Sequence, residues 1–372
     1  MRPTVVRTVA SAFLIAGCFT ACAAGPKIEN VPAKAEWPRP CVLIPELPAS
    51  PKMDGVIEHE IWDTASAGAL RYPLGSSKPI APDTTFRIGH RDGVLYLLLE
   101  YDWPDATEPV ARATGRDSRV EGDDGGEIFF SPINDLSHAK QLLFNLQGVQ
   151  ADKTISVADG LFEDRSWNPD WHLACRRDGK RYVAEFAIPF PEILGVEGRR
   201  GDTFRLALGS RRVRRSPAIT HWSPIRGISR TSSEAESCSP DYFGFGVLTG
   251  PKTQSLAWED VHGGDGAGLI LMDKRQIAAG LSDSPVSFTL LNPVAEEFGT
   301  KAPSQFMAEL KDGAGKIIAT QRASLNNWPQ KYSVEPGAAP EGDYRFELRV
   351  AGAQTVAFST LIRWRPTIRI EA

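Results

Sequence analysis

Proline and glycine break this chain so often that long amphipathic helices would be repeatedly interrupted. The 28 prolines and 33 glycines fall between short apolar runs, and a proline inside a helix removes a hydrogen bond and clashes with the preceding turn. Such punctuation marks a turn-rich β protein, so an all-β fold is expected. The 372 residues exceed one ordinary domain and suit two, each with a sizeable core. Charge narrows the partners. The 42 basic and 46 acidic residues give −4, and removal of a leader carrying Arg2 and Arg7 leaves 40 against 46, or −6. No global field attracts nucleic acid, and no nucleic-acid partner is expected.

Residues 1–24 have the layout of a secretory signal: Arg2 and Arg7 precede an apolar segment, Val9 to Gly17, too short to span a bilayer. Within it, Leu14-Ile15-Ala16-Gly17-Cys18 resembles the bacterial lipobox, which implies a lipid anchor on Cys18 and a durable membrane attachment. Phe19 rather than Asp follows the cysteine; by the same resemblance the destination is the outer membrane, facing the periplasm or the cell surface. Cleavage after Ala21-Cys22-Ala23 is the alternative and would give a secreted protein. Export permits disulfides among Cys22, Cys41, Cys175 and Cys238, in three pairings. Cys175 with Cys238 is one candidate pair, and buried free thiols are the other reading.

The stretch 25–45 is rich in Pro and Ala and reads as a linker. Residues 46–250 carry alternating and apolar runs at Phe86–Gly89, Val94–Tyr101, Glu127–Phe130, Gln141–Asn145, Thr154–Val157, His172–Arg176, Arg181–Ile188, Thr203–Arg211 and Phe245–Leu248. Arg91-Asp92-Gly93 is a hairpin signal between the first two. The unbroken run from Val94 implies a strand buried on both faces. Ile57, Ile61 and Trp62 suggest one short helix, and Pro189, Pro191 and Gly195 fence another. Residues 255–372 hold a second strand series, with Asp312-Gly313-Ala314-Gly315 as a hairpin turn and Glu341-Gly342-Asp343-Tyr344 resembling the last-strand approach of immunoglobulin-like domains. That unit is expected to be an Ig-like β-sandwich.

Four short motifs stand in order through the larger unit: Pro51-Lys52-Met53-Asp54-Gly55 with Trp62, then Glu127-Ile128-Phe129-Phe130, Glu185-Phe186-Ala187-Ile188-Pro189, and Phe243-Gly244-Phe245-Gly246-Val247-Leu248. Together they resemble the framework of the DOMON-like β-sandwich of family 9 carbohydrate-binding modules, over some 200 residues. The resemblance implies binding of a poly- or oligosaccharide. In the family, two tryptophans clamp a terminal sugar, since aromatic faces cover the C–H surface of a pyranose. This chain has Glu121 near the first of those positions, and Ser237 and Cys238 at the second. The clamp itself is therefore not carried over. Glu127 and Asn145 match family positions with polar roles near the sugar, and the family's basic residue is matched by Leu142 or Leu143.

Other residues could supply a site. Trp167 and Trp171 flank a turn with Asn168 and Asp170, and Trp222 lies in an expected loop; each could be a sugar platform or core packing. Arg212, within a cluster of Arg199, Arg200, Arg211, Arg214 and Arg215, could hold an anionic polysaccharide, because guanidinium groups bind carboxylates in pairs of bonds. Asp105, Asp117, Asp123 and Asp124 offer oxygen ligands for calcium, which the family resemblance also supports, or form a solvated acidic loop. A haem-binding variant of the sandwich would need an axial Met or His, and Met53 and His90 are poorly placed, so no haem is expected.

No catalytic residues are expected. His59-Glu60 begins a zinc-protease pattern, but Asp63 stands at the second histidine position. Nucleophile elbows and phosphate loops are absent from the sequence. The reading is a non-catalytic, exported glycan-binding lipoprotein assisting polysaccharide capture or degradation. The alternative is a structural or adaptor envelope lipoprotein that has lost sugar binding.

Overall fold

The structure, a computed structural model, describes residues 26–31, 40–104, 107–132, 138–157, 161–193, 198–225, 239–252, 270–272, 286–290, 305–324, 330–335, 340, 342–350 and 356–364. Up to residue 252 its strands are β1 (Lys27–Val31), β2 (Cys41–Ile44), β3 (Ser66–Ala69), β4 (Tyr72–Pro73), β5 (Thr84–Arg91), β6 (Val94–Asp102), β7 (Gly125–Pro132), β8 (His138–Asn145), β9 (Gln150–Ser156), β10 (Phe162–Asp164), β11 (His172–Asp178), β12 (Arg181–Pro189), β13 (Thr203–Arg211), β14 (Ile219–His221) and β15 (Gly244–Leu248). Beyond it come β16 (Ile270–Met272), β17 (Val286–Leu290), β18 (Gln305–Lys311), β19 (Ile317–Ser324), β20 (Gln330–Glu335), β21 (Gly342–Val350) and β22 (Val356–Trp364). The helices are single turns, α1 (His59–Trp62) and α2 (Phe190–Ile193), with 3₁₀ turns at Val120–Gly122 and Pro240–Tyr242.

The larger unit is a β-sandwich. One sheet runs β10-β9-β8-β7-β13-β14-β4, with β15 on the other half of β13 and β2 added parallel to β15; the other runs β11-β12-β6-β5-β3. Alternation along each strand builds the core between them. Ile128 and Phe130, Leu142 and Phe144, and Phe204, Leu206 and Leu208 face inward from the first sheet, against Phe86 and Ile88, Leu95, Leu97 and Leu99, and Phe186 and Ile188 from the second. The expected double burial of β6 has a simple cause. Tyr96 and Leu98 point outward into a second apolar cluster with Leu47, Trp62 and Val183, where the segment around α1 covers the five-stranded sheet. The β5–β6 hairpin turns at Asp92 and Gly93, with φ of 50° and 77°; two successive left-handed residues suit a tight hairpin, and glycine takes the second without strain.

The stretch expected to be a linker is not all spacer. Val42 and Ile44 of β2 are buried beside β15, and β1 pairs antiparallel with β20. A four-residue strand needs only two inward apolar side chains, a signal that Pro/Ala-rich flanks conceal. The later strands form two four-stranded sheets, β1-β20-β17-β16 and β19-β18-β21-β22. In the second of these, Phe306, Ala308 and Leu310 of β18 and Phe346 and Leu348 of β21 are buried on one face. Its other face carries a charge ladder in which Glu347 meets Lys311 at 2.6 Å and Arg349 at 2.5 Å, and Glu309 meets Arg349 at 3.1 Å.

Candidate functional site

The nine-stranded sheet is unusual on the face turned away from the core. Residues alternate with the inward set, so β7 presents Glu127 and Phe129 there, β8 presents Gln141 and Leu143, β9 presents Lys153 and Ile155, and β13 presents Ala207, Gly209 and Arg211. One part is apolar: Phe129, Ala139, Ile155, Ala207 and Phe243 pack together, with Phe243 following the 3₁₀ turn at Pro240–Tyr242. The neighbouring part is polar and equally sheltered, Glu127, Gln141, Lys153 and His221 being 8%, 3%, 5% and 0% exposed.

Glu127 is the hub. Its Oε2 accepts from Gln141 Nε2 at 2.9 Å and lies 3.8 Å from Arg211 Nη2, and its Oε1 meets His221 Nε2 at 3.1 Å. The last contact crosses β13 at Gly209, where a Cβ would stand 2.8 Å from Glu127 Cγ and 2.9 Å from His221 Cδ2. Any side chain at that position would fill the space through which the two groups meet. Burial by itself would raise the Glu127 carboxyl, but the His221 hydrogen bond and the charges of Arg211 and Lys153 bring it below the ordinary carboxylate range. Beside it, Lys153 bonds Glu163 at 2.5 Å and lies 3.8 Å from Glu121 Oε1, which also pairs with Arg165. Arg211 Nη1 donates to the Glu121 carbonyl at 2.5 Å and fixes that 3₁₀ turn over the sheet.

The protonation pattern leaves acceptors over. An ionised carboxylate only accepts, so Gln141 must turn its amide nitrogen, and His221 its Nε2–H, toward Glu127. Among the described residues, Gln141 Oε1, His221 Nδ1 and Glu121 Oε2 then remain buried without a hydrogen-bond partner. A buried acceptor left unpaired costs about 1–3 kcal/mol, and three on one network amount to a request for donors from outside the chain.

The structure places the residues singled out from sequence differently. Glu127 belongs to this network. Asn145 does not: its Nδ2 donates to Asp123 and to the Ala113 carbonyl, and its Oδ1 accepts from the backbone of Gln147 and Val149. Two of these bonds hold the β8–β9 turn and two tie it to the segment before β7 that carries Ala113 and Asp123. Trp171 and Trp222 are core residues rather than platforms; Trp171 stacks on Phe186 and Trp222 meets Phe86 edge-on at 5.7 Å. Trp167 is half-buried against the core, with the Lys140 ammonium 5.1 Å from its ring centroid. Arg212 is likewise structural. Its guanidinium sits 3.9 Å from the Trp103 ring centroid, donates to the Asp102 carbonyl at 3.1 Å and lies 3.5 Å from Asp83. Arg212→Ala is expected to cost about 2 kcal/mol in urea unfolding through the lost buried cation–π contact, with ligand affinity of the folded protein unchanged.

The acidic residues considered for calcium do not converge. Asp123 accepts from the Arg112 and Ala113 amides and from Asn145, and Asp124 from the Val110 and Val213 amides. Their oxygens are occupied as loop staples. Asp117 holds a left-handed φ of 63° and lies 3.9 Å from Arg116, and Asp105 is outside the described residues. Among the described residues, no group of three or more His, Cys, Asp or Glu is placed to hold a metal. Cys175 is a free thiol pushed up to about 12 by burial, and Cys41 forms no disulfide among the described residues; Cys18, Cys22 and Cys238 lie outside the described residues.

Sequence reasoning missed Gln141, Lys153 and His221. Lys153 lies on the following strand, in register with Gln141, a pairing that no local sequence pattern shows.

No protein family and no curated protein matches the chain. Among solved structures it is similar to a provisionally described carbohydrate-binding protein from Bacteroides uniformis, at 17% identity and a TM-score of 0.45 over 57% of this chain and 100% of that one. It is also similar to a family 9 carbohydrate-binding module from Caldicellulosiruptor kristjanssonii in complex with glucose, at 16% identity and a TM-score of 0.37 over 57% of this chain and 98% of that one. The same organism's module in complex with cellotriose gives 16% identity and a TM-score of 0.36 over 58% and 97%.

Proposed function

We propose that this chain is a non-catalytic carbohydrate-binding protein that holds a poly- or oligosaccharide on the outward face of β7, β8, β9 and β13. One observation carries the reading: Gln141 Oε1, His221 Nδ1 and Glu121 Oε2 are buried acceptors without donors among the described residues, and a saccharide is a ligand dense in O–H donors. Lys153, Arg211 and Arg165 border the same place and supply the complementary donors for ring and hydroxyl oxygens. Glu127 is one of the two positions that the family 9 resemblance assigned to sugar contact, which supports the choice of face. Recognition in this reading rests on hydrogen bonds, with an ion-paired Glu121 where the family would place an aromatic clamp.

The wider role follows the N-terminal pattern. The protein is exported and anchored through Cys18 in the outer membrane, and keeps glycan near the enzymes that degrade it. The strands beyond residue 255 are taken as an Ig-like second sandwich that spaces or docks the binding unit.

Calorimetric titration of the mature protein against neutral and uronate-containing oligosaccharides tests the face. Gln141→Ala is expected to weaken binding about tenfold, the worth of one hydrogen bond of about 1–1.5 kcal/mol. Unchanged affinity in both Gln141→Ala and Glu127→Ala, with both variants folded, would overturn the assignment.

A further inference from the structure

The inward face of the nine-stranded sheet is not filled by core side chains along its whole width. At the β8–β9–β10 edge it borders a cleft of about 540 Å³, lined by Phe130, His138, Lys140, Thr154, Phe162 and Asp164 among others, with Ile193 of α2 also contributing. That volume lies within the ~300–1,000 Å³ of small-ligand sites. Two register rows build the sheet side of it. Phe130, Lys140, Thr154 and Asp164 form one, and His138, Ser156 and Phe162 the other. All belong to the face opposite Gln141, Lys153 and Glu163, so this cleft and the outward network lie on opposite sides of the same strands.

Two features of the lining are chemically incomplete. Phe162 is 68% exposed, the most exposed large apolar side chain among the described residues. Such a ring on an edge strand is a free stacking surface. Lys140 is half-buried, donates to the Glu192 carbonyl at 2.7 Å and lies over Trp167, and among the described residues it forms no ion pair. Desolvation lowers its pKa, partly countered by the Glu192 charge. A sheltered ammonium whose contacts among the described residues are a carbonyl and a ring face retains donor capacity and electrostatic demand for an anion. Asp164 stands two strand spacings away in the same row, roughly 10 Å across the sheet, with Oδ1 accepting the Ser166 amide.

We infer that this cleft is a second saccharide site and that it takes a hexuronate residue. The sugar ring lies on Phe162, its carboxylate meets Lys140, and hydroxyls on the far side reach Thr154 and the Asp164 carboxylate. Charge complementarity selects the ligand: a neutral sugar would leave Lys140 unpaired, and an apolar segment would bury the ammonium without a counter-charge. The site stands apart from the outward face and does not depend on that reading.

The probe is trigalacturonate, titrated into the mature protein beside its methyl-esterified, uncharged counterpart. Phe162→Ala and Lys140→Gln are each expected to weaken trigalacturonate binding at least tenfold, and the ester is expected to bind wild type no better than the acid binds Lys140→Gln. Phe162 is exposed, so its variant keeps the fold, which an unchanged unfolding midpoint checks. Absence of trigalacturonate binding, or binding unaffected by Phe162→Ala, overturns the inference. Loss in Gln141→Ala with none in Phe162→Ala would place the uronate on the outward face, leaving that proposal standing and this one refuted.

Discussion

Glu185→Ala is expected to lower the unfolding free energy by about 2–4 kcal/mol, read from urea or guanidinium transitions of the larger sandwich. Glu185 is fully buried on β12. One carboxylate oxygen accepts the Gly55 amide at 2.8 Å and the other accepts Trp62 Nε1 at 3.1 Å. Two sequence motifs separated by more than a hundred residues are thereby joined through one side chain. Alanine would strand two buried donors and detach the segment whose Trp62 covers Tyr96 and Leu98. Glu185→Gln keeps one acceptor and faces the other donor with an amide group, so an intermediate loss is expected. The pH dependence has a definite sign. Burial raises the Glu185 pKa, although the bonds from Gly55 and Trp62 oppose it. A folded pKa above the unfolded one means that the native state binds the proton more tightly. The stability of wild type relative to Glu185→Gln should therefore be greatest below the ordinary carboxylate range and decline as pH rises through and above it. An opposite trend would show that the hydrogen bonds outweigh desolvation.

Trp171→Ala should be more damaging still, at about 3–5 kcal/mol for a large aromatic side chain removed from a core. The indole is 2% exposed and lies nearly parallel to Phe186, at 6.3 Å and 13°. Its Nε1 donates to Asp152 at 3.3 Å, and Asp152 is held in turn by Arg116 at 2.7 Å. Burial pushes the Asp152 carboxyl upward, while the Trp171 bond and the Arg116 charge hold it down. Removing the indole opens a cavity and weakens this buried pair together. Under conditions where the variant is folded, its saccharide affinity should match wild type. A variant that unfolds as wild type does but no longer binds would restore Trp171 as a sugar platform.

The framework was legible because each part of it has a local cause. Period-two alternation marked β5, β7 and β12, the Asp92-Gly93 pair marked a hairpin, and the unbroken run from Val94 marked a strand covered on both sides. Strands β4, β10 and β14 have two or three residues each, too few for a period, and exist because a longer neighbour offers them partners. The proposed binding face was harder to read for a related reason. Glu127, Gln141, Lys153 and His221 come from four strands, and only register brings them together. A tryptophan beside Asn and Asp in a loop looks the same in sequence whether its ring points to solvent or, like Trp171, into the core. Arg212 likewise belongs to a visible arginine cluster, yet the ring of Trp103, remote in sequence, determines what it does.

The most direct measurement is a side-chain NMR titration with the oligosaccharide that binds, following the Gln141 amide, the His221 ring and the tryptophan indole protons. Saturable shifts are expected at Gln141 and His221, with Trp171 and Trp222 unmoved. Saturable binding that moves the indoles of Trp171 and Trp222 and leaves Gln141 and His221 where they were would contradict the outward-face reading.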